Sequence, residues 1–374
     1  MKVIFTCGGT GGHINPAIAV AKMLQERKKD AQILFVGGDG MEQELVPREG
    51  FRLEQVKASS FQRKLTPAGI WHNMKAAVYV AQSLHKADRI IREFQPDVIL
   101  GTGGYASFPM LRQGIKRKIP TAVHEANAVP GLTTRMVADG ADRILVAFED
   151  AKNQFAHPER VIPVGMPVRE EFFYLTKADA RQKLGLDERP LVVSAWGSLG
   201  AREMNKIMAD FIALEYKNGL PFQHLHATGS YGWRWMPDYV KEKGVTLQPD
   251  RGVKMEEYIY DMPLWMAAAD VILSRAGSSS LNEIAASGTP CVIVPSPNVT
   301  DNHQEKNARI LEQRGAAVVV RESECSGELL YQTVQQLLDD APQRKKMSQA
   351  LRTLAIVDST ERIYRTIIDL AKQH

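Results

Sequence analysis

Glycine-rich segments at two places in the chain have the composition of phosphate-binding turns. Residues 7–13 form the first, Cys-Gly-Gly-Thr-Gly-Gly-His, and residues 197–200 and 274–280 together form the second, half a chain away. Each segment follows an apolar run and precedes a predicted helix. Such turns point backbone N–H groups and the positive end of the helix dipole at a ligand, which favours phosphate or diphosphate. Two such sites in two α/β halves predict a cleft that holds a diphosphate between two reactants.

Two side chains near these segments are candidates for accepting a proton. His13 begins the helix after the first loop, where the positive dipole end disfavours imidazolium and keeps the ring neutral near pH 7. Glu125 ends a later predicted strand, close to Asn127. The alternatives are a histidine that only packs locally and a carboxylate in a solvated loop. We therefore take His13 and Glu125 as candidate general bases and prefer His13.

A third turn of small residues, 101–107, follows another predicted strand and contains Gly103, Gly104 and Tyr105. It has two interpretations, a site for a second phosphorylated or bulky ligand and a tight connection between a strand and a helix. The sequence alone does not decide between them.

Polar side chains in the second half of the chain suit a nucleotide and a sugar. A carboxylate such as Glu283 can accept hydrogen bonds from both hydroxyls of a ribose. Alternatively, Ser280 and Glu283 form a capping box that satisfies N–H groups at the start of a helix. His303 and Gln304 lie in a polar cluster, 301–307, whose donors and acceptors suit sugar hydroxyls; the alternative is an exposed polar loop.

Missing motifs disfavour several other chemistries. The dinucleotide-binding pattern G-x-G-x-x-G fails because Ile14 stands where the third glycine belongs, although Asp39 after the second strand keeps an oxidoreductase from being excluded. The chain has no Gly-Lys-Ser/Thr phosphate loop, no Asp-x-Asp pair, no zinc spacing and no nucleophile elbow. We therefore expect chemistry without a metal or another cofactor. A leaving diphosphate then depends on backbone amides and a cation, for which Arg169 is the candidate.

The composition indicates a globular protein of two domains. The 374 residues exceed one ordinary core, and 44% are hydrophobic and 24% charged. A net charge of +4 is too mild to indicate nucleic-acid binding. Three cysteines without paired spacing indicate a reducing, cytosolic setting, and the first residues lack the organisation of a signal peptide. No apolar run approaches the roughly 18–20 residues that span a bilayer, so we expect a soluble or peripheral protein.

One amphipathic segment, within residues 63–80, carries apolar and basic side chains together. These are Ile70, Trp71, Met74, Lys75 and Val78. Such a segment can lie against an anionic membrane surface, and the first half of the chain has more basic than acidic residues. Taken alone, the pattern favours the alternative, a helix whose apolar side packs on the core.

The elements that must position these groups alternate apolar β-branched runs with helical patterns. The predicted strands are 3–6, 33–36, 98–101, 121–124 and 143–147 in the first half, and 191–195, 222–227, 271–274, 291–294 and 317–320 in the second. Residues 161–169 indicate a linker, so we place the domain boundary near residue 166, and residues 360–372 predict a terminal helix. This order predicts two doubly wound parallel sheets, whose ligands bind outside the carboxyl ends of the strands.

Several motifs taken together resemble those of the MurG family of bacterial glycosyltransferases. They are Gly-Gly-Thr-Gly-Gly-His, Gly-Thr-Gly-Gly-Tyr-Ala-Ser, His-Glu-Ala-Asn followed by Gly-Leu-Thr, and Arg-Ala-Gly followed by Glu-Ile-Ala-Ala-Ser-Gly-Thr-Pro, in order from residue 8 to about 320. The resemblance implies a GT-B fold, with two Rossmann-like doubly wound domains facing across a cleft. Residues 1–165 would bind the acceptor and the membrane, residues 166–354 would bind a UDP-sugar, and the helix in 355–374 would pack back on the first domain.

The resemblance also implies an activity. Members of the family transfer N-acetylglucosamine (GlcNAc) from UDP-GlcNAc to lipid I, a muramyl sugar on undecaprenyl diphosphate, and form lipid II for peptidoglycan synthesis. The implied transfer is inverting and metal-independent, and the implied partners are UDP-GlcNAc, lipid I and an anionic membrane surface on the cytoplasmic face of the cell membrane. The alternatives are a related GT-B enzyme with another lipid acceptor, a UDP-GlcNAc epimerase and a non-catalytic scaffold that binds a UDP-sugar.

Roles follow from matching the motifs residue by residue, and they include no metal ligand. The implied catalytic residues are His13, Glu125 and Asn127. The implied donor-binding residues are Thr10, Gly11, Gly12, Asn127, Arg169, Ser198, Ile259, Glu283, His303 and Gln304. The implied contacts to the acceptor diphosphate are Gly11, Gly12, Gly103, Gly104 and Tyr105. The membrane patch of the family falls on Ile70, Trp71, Met74, Lys75 and Val78, which reverses the preference stated above for that segment.

The donor roles differ in kind. Glu283 resembles the ribose ligand, and Ile259 resembles the residue whose backbone recognises uracil. Arg169 and Ser198 resemble the diphosphate contacts. His303 and Gln304 resemble the contacts to the hydroxyls of the sugar.

Three residues depart from the family pattern. Trp196 and Leu199 stand where Gly-Gly-Ser-Gln-Gly has its first glycine and its glutamine, and Met166 replaces the asparagine of Gly-Asn-Pro-Val-Arg. Leucine cannot make the hydrogen bonds of a glutamine, and methionine removes an amide at the hinge. These changes bear on the donor contacts and leave the residues with central roles in place.

Overall fold

The computed structural model describes residues 1–57, 67–247 and 252–372, and within 67–77 it describes the backbone alone. The chain forms two compact units. Unit 1 contains Met1–Pro167 and Asp358–His374, and unit 2 contains Val168–Val357. The division lies close to the boundary expected near residue 166.

Among the described residues, unit 1 contains a parallel sheet of seven strands in the order β3-β2-β1-β4-β5-β6-β7. The strands are β1 (Lys2–Cys7), β2 (Gln32–Gly37), β3 (Arg52–Gln55), β4 (Val98–Gly103), β5 (Thr121–Glu125), β6 (Arg143–Val146) and β7 (Val161–Pro163). The helices between them are α1 (Gly11–Arg27), α2 (Glu42–Arg48), α3 (Pro67–Phe94), α4 (Ser107–Lys116) and α5 (Leu132–Val137). Short 3₁₀ turns cover Glu149–Gln154 and Pro158–Arg160.

The described part of unit 2 contains a parallel sheet of six strands in the order β10-β9-β8-β11-β12-β13. The strands are β8 (Leu191–Ala195), β9 (Gln223–Ala227), β10 (Val253–Glu256), β11 (Val271–Ser274), β12 (Cys291–Ile293) and β13 (Val318–Val319). The helices are α6 (Glu171–Tyr174), α7 (Lys177–Leu184), α8 (Arg202–Lys217), α9 (Gly229–Gly232), α10 (Met236–Glu242), α11 (Met262–Ala268), α12 (Ser278–Ser287), α13 (His303–Gln313), α14 (Gly327–Asp339) and α15 (Ala341–Leu354). Short 3₁₀ turns cover Thr300–Asn302 and Glu322–Glu324.

The central strands of unit 1 are apolar on both faces because helices cover both sides of the sheet. Phe5 on β1 and Phe35 on β2 are fully buried, and their rings stack with centroids 5.3 Å apart. This core fixes the strands whose carboxyl ends carry the glycine-rich loops.

The last helix, α16 (Ser359–Lys372), belongs to unit 1. Ile363, Ile367 and Leu370 recur at helical spacing, and all three are buried in the same core cluster as the apolar residues of β1 and α1. Arg362 also donates to the carbonyl oxygen of Pro163, at 3.2 Å.

The predicted doubly wound α/β fold is confirmed, and the differences lie at the sheet edges. Strands β3, β7 and β10 were not predicted from the sequence, and the interpretation of residues 161–169 as a linker was wrong for the three residues of β7. Each missed strand is an edge strand. Edge strands carry polar residues or proline because one of their sides forms no ladder, so they lack the apolar run by which buried strands are recognised.

Four polar side chains form a hydrogen-bonded chain in the core of unit 2. Glu215 lies 3.0 Å from Nδ1 of His224, and Oγ of Ser194 lies 2.7 Å from Nε2 of His224 and 2.7 Å from Nδ1 of His226. An acid, a histidine and a serine in this order form a nucleophilic triad in other enzymes. Here all four side chains are buried, and Ser194 is wholly inaccessible. A substrate cannot reach the Ser194 hydroxyl, so this hydrogen-bonded network has a structural role.

Burial sets the protonation of this buried chain. It lowers the pKa of His224 to about 3, lowers the pKa of His226 and raises the pKa of Glu215. In the unfolded chain a histidine titrates near 6.5. The folded unit therefore keeps both rings neutral at pH values where the unfolded chain binds protons.

We expect the stability of unit 2 to fall as the pH falls from about 6.5 towards 3, because unfolding then takes up protons at both histidines. Each contributes a slope of up to about 1.4 kcal/mol per pH unit. Glu215 has the opposite effect on the pH dependence, because its raised pKa lowers stability as the pH rises above about 4.5. Glu215 contributes one proton to the balance, whereas the two histidines contribute two, so the histidines dominate. In urea unfolding across this range, His226→Gln should give a shallower pH dependence by one proton. Equal slopes for the variant and the wild type would contradict this account.

Candidate functional site

Three loops of unit 1 lie side by side, because the strands before them are neighbours in the order β1-β4-β5. The loops are residues 8–10, 104–106 and 126–131, and they lead into α1, α4 and α5. In a parallel sheet such loops share the edge at which ligands bind. We call these three loops and the first turns of their helices the unit 1 rim.

His13 lies in the first turn of α1, half-buried against the end of β4. Its Nδ1 is 3.0 Å from the carbonyl oxygen of Thr102, and the Thr102 hydroxyl donates to the carbonyl oxygen of His13 at 2.6 Å. Because a carbonyl oxygen only accepts, Nδ1 carries a proton, and a neutral ring then has its lone pair on Nε2. The strand thus fixes the tautomer that a general base at Nε2 needs.

Two glycines, Gly103 at the end of β4 and Gly104 directly after it, permit close approach. A Cβ atom on Gly103 would lie 2.5 Å from Nδ1 of His13, and one on Gly104 would lie 2.3 Å from the carbonyl oxygen of Gly8. Both residues also have positive φ, 111° and 83°, which glycine adopts without strain. The end of β4 therefore leaves room for the imidazole, and the loop after β4 touches the first glycine-rich loop. Tyr105 in that loop is exposed.

Glu42, which was not among the residues predicted from the sequence, connects the first glycine-rich loop to the loop after β2. Glu42 is 1% exposed, and its carboxylate accepts the N–H of Gly9 at 3.0 Å and the N–H of Gly38 at 2.7 Å. A Cβ atom on Gly37 would lie 2.7 Å from Cγ of Glu42, so the side chain fills the space that this glycine leaves. The sequence signal was a further glycine-rich turn, 37–40, followed closely by an acid.

Glu125 ends β5 and is 4% exposed, so it is not the solvated carboxylate considered as an alternative. One oxygen accepts the backbone N–H and the side-chain amide of Asn127, at 2.9 and 3.2 Å. The other accepts the N–H of Gly131 at 2.9 Å and the hydroxyl of Thr134 at 2.6 Å. Four donors thus use both oxygens, and a proton could be accepted only by breaking one of these bonds. This arrangement shapes the loop after β5 and places Asn127 on it.

The corresponding loops of unit 2 follow β8, β10, β11 and β12 at the carboxyl edge of its sheet. They are residues 196–201, 257–261, 275–277 and 294–302. We call these loops and the helices that begin after them the unit 2 rim. It contains the remaining donor-binding residues expected from the sequence, except Arg169.

The loop after β8 is held by backbone contact with the loop after β9. A Cβ atom on Gly200 would lie 2.1 Å from the carbonyl oxygen of Thr228, and Gly200 has a φ of 78°. The carbonyl oxygen of Ser198 accepts the N–H of Ser230 at 3.2 Å. This leaves the side chains of Ser198 and Leu199 exposed on the rim, and Leu199, at 56% exposure, presents an apolar surface there.

Trp196 fills the core beneath this loop and is 3% exposed. The guanidinium carbon of Arg275 lies 5.9 Å from the centroid of its rings. Arg275 also donates to the carbonyl oxygen of Val294 at 3.0 Å and pairs with Glu322 at 2.5 Å. The tryptophan therefore helps to orient an arginine, not selected from the sequence, that connects the loops after β11 and β12.

Glu283 lies in the second turn of α12 and is half-buried. The capping-box alternative is wrong, because α12 begins at Ser278 with Gly277 as its N-cap, so Ser280 lies inside the helix. Burial raises the pKa of Glu283 to about 7, against the opposing effect of the positive charge of Arg169. Arg169 is exposed, and its guanidinium carbon lies 5.4 Å from the ring centroid of Phe172. Unit 2 thus brings a readily protonated carboxyl group and a cation into electrostatic contact.

His303 and Gln304 form the start of α13. Nδ1 of His303 donates to the carbonyl oxygen of Thr300 at 2.8 Å, and Oε1 of Gln304 accepts the N–H of Ser296 at 2.9 Å. Both side chains are half-buried, so the alternative of a fully exposed polar loop does not describe them. Gln304 uses its oxygen on the backbone, and its NH₂ group is thereby oriented as a donor.

Ile259 anchors the loop that follows β10. Its side chain is 3% exposed, whereas those of Tyr258 and Tyr260 on either side are 47% and 79% exposed. The two tyrosine rings meet edge to face with centroids 5.1 Å apart. The buried side chain of Ile259 between two exposed ones holds the backbone of this loop at the surface. A backbone group that recognises uracil needs such a position.

The expected membrane segment falls on the first half of α3. The side chains of Ile70, Trp71, Met74 and Lys75 lie outside the described residues, and Val78 is 55% exposed. Within the described ranges, every helix is too short or too polar to cross a membrane.

Comparison with known proteins places this arrangement in a family. Residues 3–146 match the glycosyltransferase family 28 N-terminal domain, and residues 191–363 match the C-terminal domain of that family. The two parallel sheets with glycine-rich loops at their carboxyl edges agree with these matches. Fold, rims and matched domains together define a glycosyltransferase of family 28.

Individual relatives narrow the class. The chain is 39% identical over 374 residues to the UDP-N-acetylglucosamine–N-acetylmuramyl-(pentapeptide) pyrophosphoryl-undecaprenol N-acetylglucosamine transferase of Acetivibrio thermocellus, with 100% of this chain and 99% of that protein covered. It is 41% identical over 369 residues to the transferase of the same name from Thermoanaerobacter sp., with 98% and 99% covered. The crystal structure of Acinetobacter baumannii MurG superposes with a TM-score of 0.78 at 25% identity, over 98% of this chain and 99% of that one. The chain therefore belongs to the MurG family, and the resemblance seen in the sequence motifs is confirmed.

Proposed function

We propose that the protein transfers GlcNAc from UDP-GlcNAc to the muramyl sugar of the pyrophosphoryl-undecaprenol pentapeptide lipid I, and so forms lipid II. The observation that carries the proposal is 39% identity to a transferase of this name over the whole chain. Both substrates are diphosphates, and the rims of both units carry glycine-rich turns at helix starts, where backbone N–H groups suit such ligands.

We assign His13 as the general base that takes the proton of the acceptor hydroxyl. The acceptor hydroxyl gives its proton to Nε2 of His13 while its oxygen attacks the anomeric carbon of GlcNAc from the face opposite UDP. The new carbon–oxygen bond forms as the bond from the anomeric carbon to the UDP oxygen breaks, and UDP leaves with that electron pair. The configuration at the anomeric carbon is therefore inverted. We assign Glu125 to holding Asn127 and its loop in place, since its oxygens already accept four hydrogen bonds.

Unit 2 binds the donor in this proposal. Glu283 accepts hydrogen bonds from the two ribose hydroxyls, and the backbone at Ile259 recognises uracil. Arg169, Ser198 and the amides of the unit 2 rim stabilise the charge that grows on UDP as it leaves. His303 and Gln304 bind the hydroxyls of the sugar. The expected donor contacts of Thr10, Gly11, Gly12 and Asn127 involve unit 1, and they stay predictions.

Unit 1 binds the acceptor. Gly11, Gly12, Gly104 and Tyr105 lie on the unit 1 rim, and Gly103 ends the strand beside it. We propose that these five residues hold the diphosphate of lipid I. We infer that the lipid tail of the acceptor brings the protein to the membrane, on its cytoplasmic face, with the segment that begins at Ile70 and ends at Val78 against the anionic lipids. The exposure of Val78 supports this assignment.

We expect Glu42→Gln to weaken binding of the acceptor more than binding of the donor. An amide offers one oxygen where the carboxylate offers two, so the N–H of Gly9 or of Gly38 loses its acceptor and the first glycine-rich loop loosens. The free energy of unfolding should fall by about 1–3 kcal/mol. The KM for lipid I should rise about tenfold or less, and the KM for UDP-GlcNAc should rise less, because most of the proposed donor contacts lie in unit 2. Equal changes in both KM values would show that the carboxylate does not act on the unit 1 rim alone.

The proposed function is tested by incubating the purified protein with UDP-GlcNAc, with and without a lipid I analogue, and measuring UDP release and the sugar product. We expect release that depends on the acceptor, with a β-linked disaccharide as product. Isomerised sugar or UDP release without acceptor would instead indicate an epimerase. Transfer to another lipid acceptor alone would indicate a related glycosyltransferase, and nucleotide binding without turnover would indicate a scaffold.

A further inference from the structure

A cavity of about 560 Å³ opens in unit 1, and none of its lining residues belongs to the first glycine-rich loop. Three elements line it: Asp39 from the loop after β2, Gln55 and Lys57 at the end of β3, and the middle of α3. The helix contributes residues 79, 82, 83 and 86, which share one face at the spacing of successive turns. The volume lies within the range of pockets that bind small ligands, about 300–1,000 Å³.

Two side-chain contacts hold the wall of this cavity in place. Ser83 is 2% exposed, and its hydroxyl donates to the carbonyl oxygen of Lys57 at 2.5 Å, which connects the segment after β3 to α3. The ammonium of Lys57 lies 5.4 Å from the ring centroid of Tyr79. This contact over an aromatic face orients the cation at the cavity.

The polar groups of the cavity are mixed in charge. Lys57 and Lys86 supply cations, Gln55 and Gln82 supply carboxamides, and Asp39 supplies a carboxylate. Ammonium groups pair with carboxylate or phosphate, whereas carboxamides pair with the N–H and C=O groups of an amide chain. A ligand that has both amide groups and an anionic group fits these side chains, and the carboxyl end of a peptide has both, whereas a lipid headgroup has fewer amides to offer.

The cavity also adjoins the loop to which the acceptor diphosphate is assigned. Asp39 directly precedes Gly40, and a Cβ atom on Gly40 would lie 3.0 Å from Cα of Gly9. Glu42 bonds to the backbone of both loops. A ligand with its diphosphate at the first glycine-rich loop therefore has the cavity as its neighbour within the same unit.

From this juxtaposition we propose that the cavity binds the peptide of the lipid acceptor, with a peptide carboxylate paired to Lys57 and Lys86 and peptide amides paired to Gln55 and Gln82. The inference rests on the proposed function, because it takes the pentapeptide from the acceptor named there. It makes these four residues determinants of acceptor specificity, and it leaves the chemical step unchanged.

The test compares two lipid acceptors, muramyl pentapeptide diphosphate lipid and the same lipid without its peptide. For the double variant Lys57→Ala, Lys86→Ala we expect the KM for the pentapeptide acceptor to rise about tenfold. Its kcat, and its KM for the acceptor without peptide, should match the wild type. Lys29→Ala removes an exposed lysine elsewhere in unit 1 and should leave every value unchanged.

Two results would overturn the inference. An equal rise in KM for both acceptors would show that the lysines do not recognise the peptide, and an unchanged KM for the pentapeptide acceptor would show that they bind nothing in it. If the equal rise disappears when zwitterionic vesicles replace anionic ones, the cavity binds a lipid headgroup instead.

A binding measurement separates this inference from the proposed function. In calorimetric titration with the free muramyl pentapeptide, the double variant should bind about tenfold more weakly than the wild type, and added salt should narrow the difference. This result is independent of turnover. Absence of GlcNAc transfer by the wild type would defeat the proposed function alone, whereas equal affinity of wild type and double variant would defeat the inference alone.

Discussion

His13→Ala is expected to lower kcat for GlcNAc transfer by about 10²- to 10⁴-fold, the range that a positioned general base contributes. The reason is the tautomer. Thr102 fixes the proton of a neutral ring on Nδ1, so the lone pair on Nε2 is the one that accepts the proton of the acceptor hydroxyl. Steady-state kinetics at saturating lipid I and UDP-GlcNAc measure the effect directly.

The same variant should leave the Kd for UDP unchanged, because the nucleotide contacts are assigned to unit 2. His85→Ala is the matched control, since it removes an exposed histidine of α3 in the same unit and should keep the wild-type kcat. Near-normal turnover of His13→Ala with saturating acceptor would show that another group takes the proton. Because Glu125 is engaged by four donors, such a result would point beyond the pair of candidate bases.

The sequence was sufficient to locate the rims, because local rules govern them. Glycine-rich turns between a strand and a helix identify the carboxyl edge of a parallel sheet, and His13 follows from its position in the first helical turn. The buried strands were equally visible as apolar runs. These features depend on a few neighbouring residues, so no tertiary contact is needed to predict them.

Contacts between distant segments could not be read in the same way. Glu42 reaches Gly9 across 33 positions, and only the folded sheet brings the two loops together. The pairing of Trp196 with Arg275 likewise depends on β8 and β11 being neighbours. At Ser280 the local rule itself misled, because the helix starts earlier, after Gly277, and the serine that resembles an N-cap lies within the first turn.

Glu283→Ala is expected to raise the Kd for UDP about 10- to 100-fold, because a carboxylate that accepts two hydroxyls contributes more than a neutral hydrogen-bond acceptor. Once the donor is saturating, kcat should change far less than in His13→Ala, since the ribose lies away from the bond that breaks. Isothermal titration with UDP gives the Kd, and Glu328→Ala on α14, which removes an exposed carboxylate of unit 2, should bind UDP as the wild type does.

The raised pKa of Glu283 gives a second test of its assignment as the ribose ligand. Burial raises its pKa to about 7, so near neutral pH much of the free protein carries a protonated carboxyl group. The ionised form offers one oxygen to each of the two ribose hydroxyls and so binds them more strongly than the protonated form, and UDP binding should therefore release a proton. The affinity for UDP should fall as the pH drops below 7, by up to about tenfold per pH unit. Glu283→Gln should bind weakly and lose this dependence. If the glutamine variant kept the wild-type slope, the titrating group would lie elsewhere, and the ribose would have to be assigned to another side chain of the unit 2 rim.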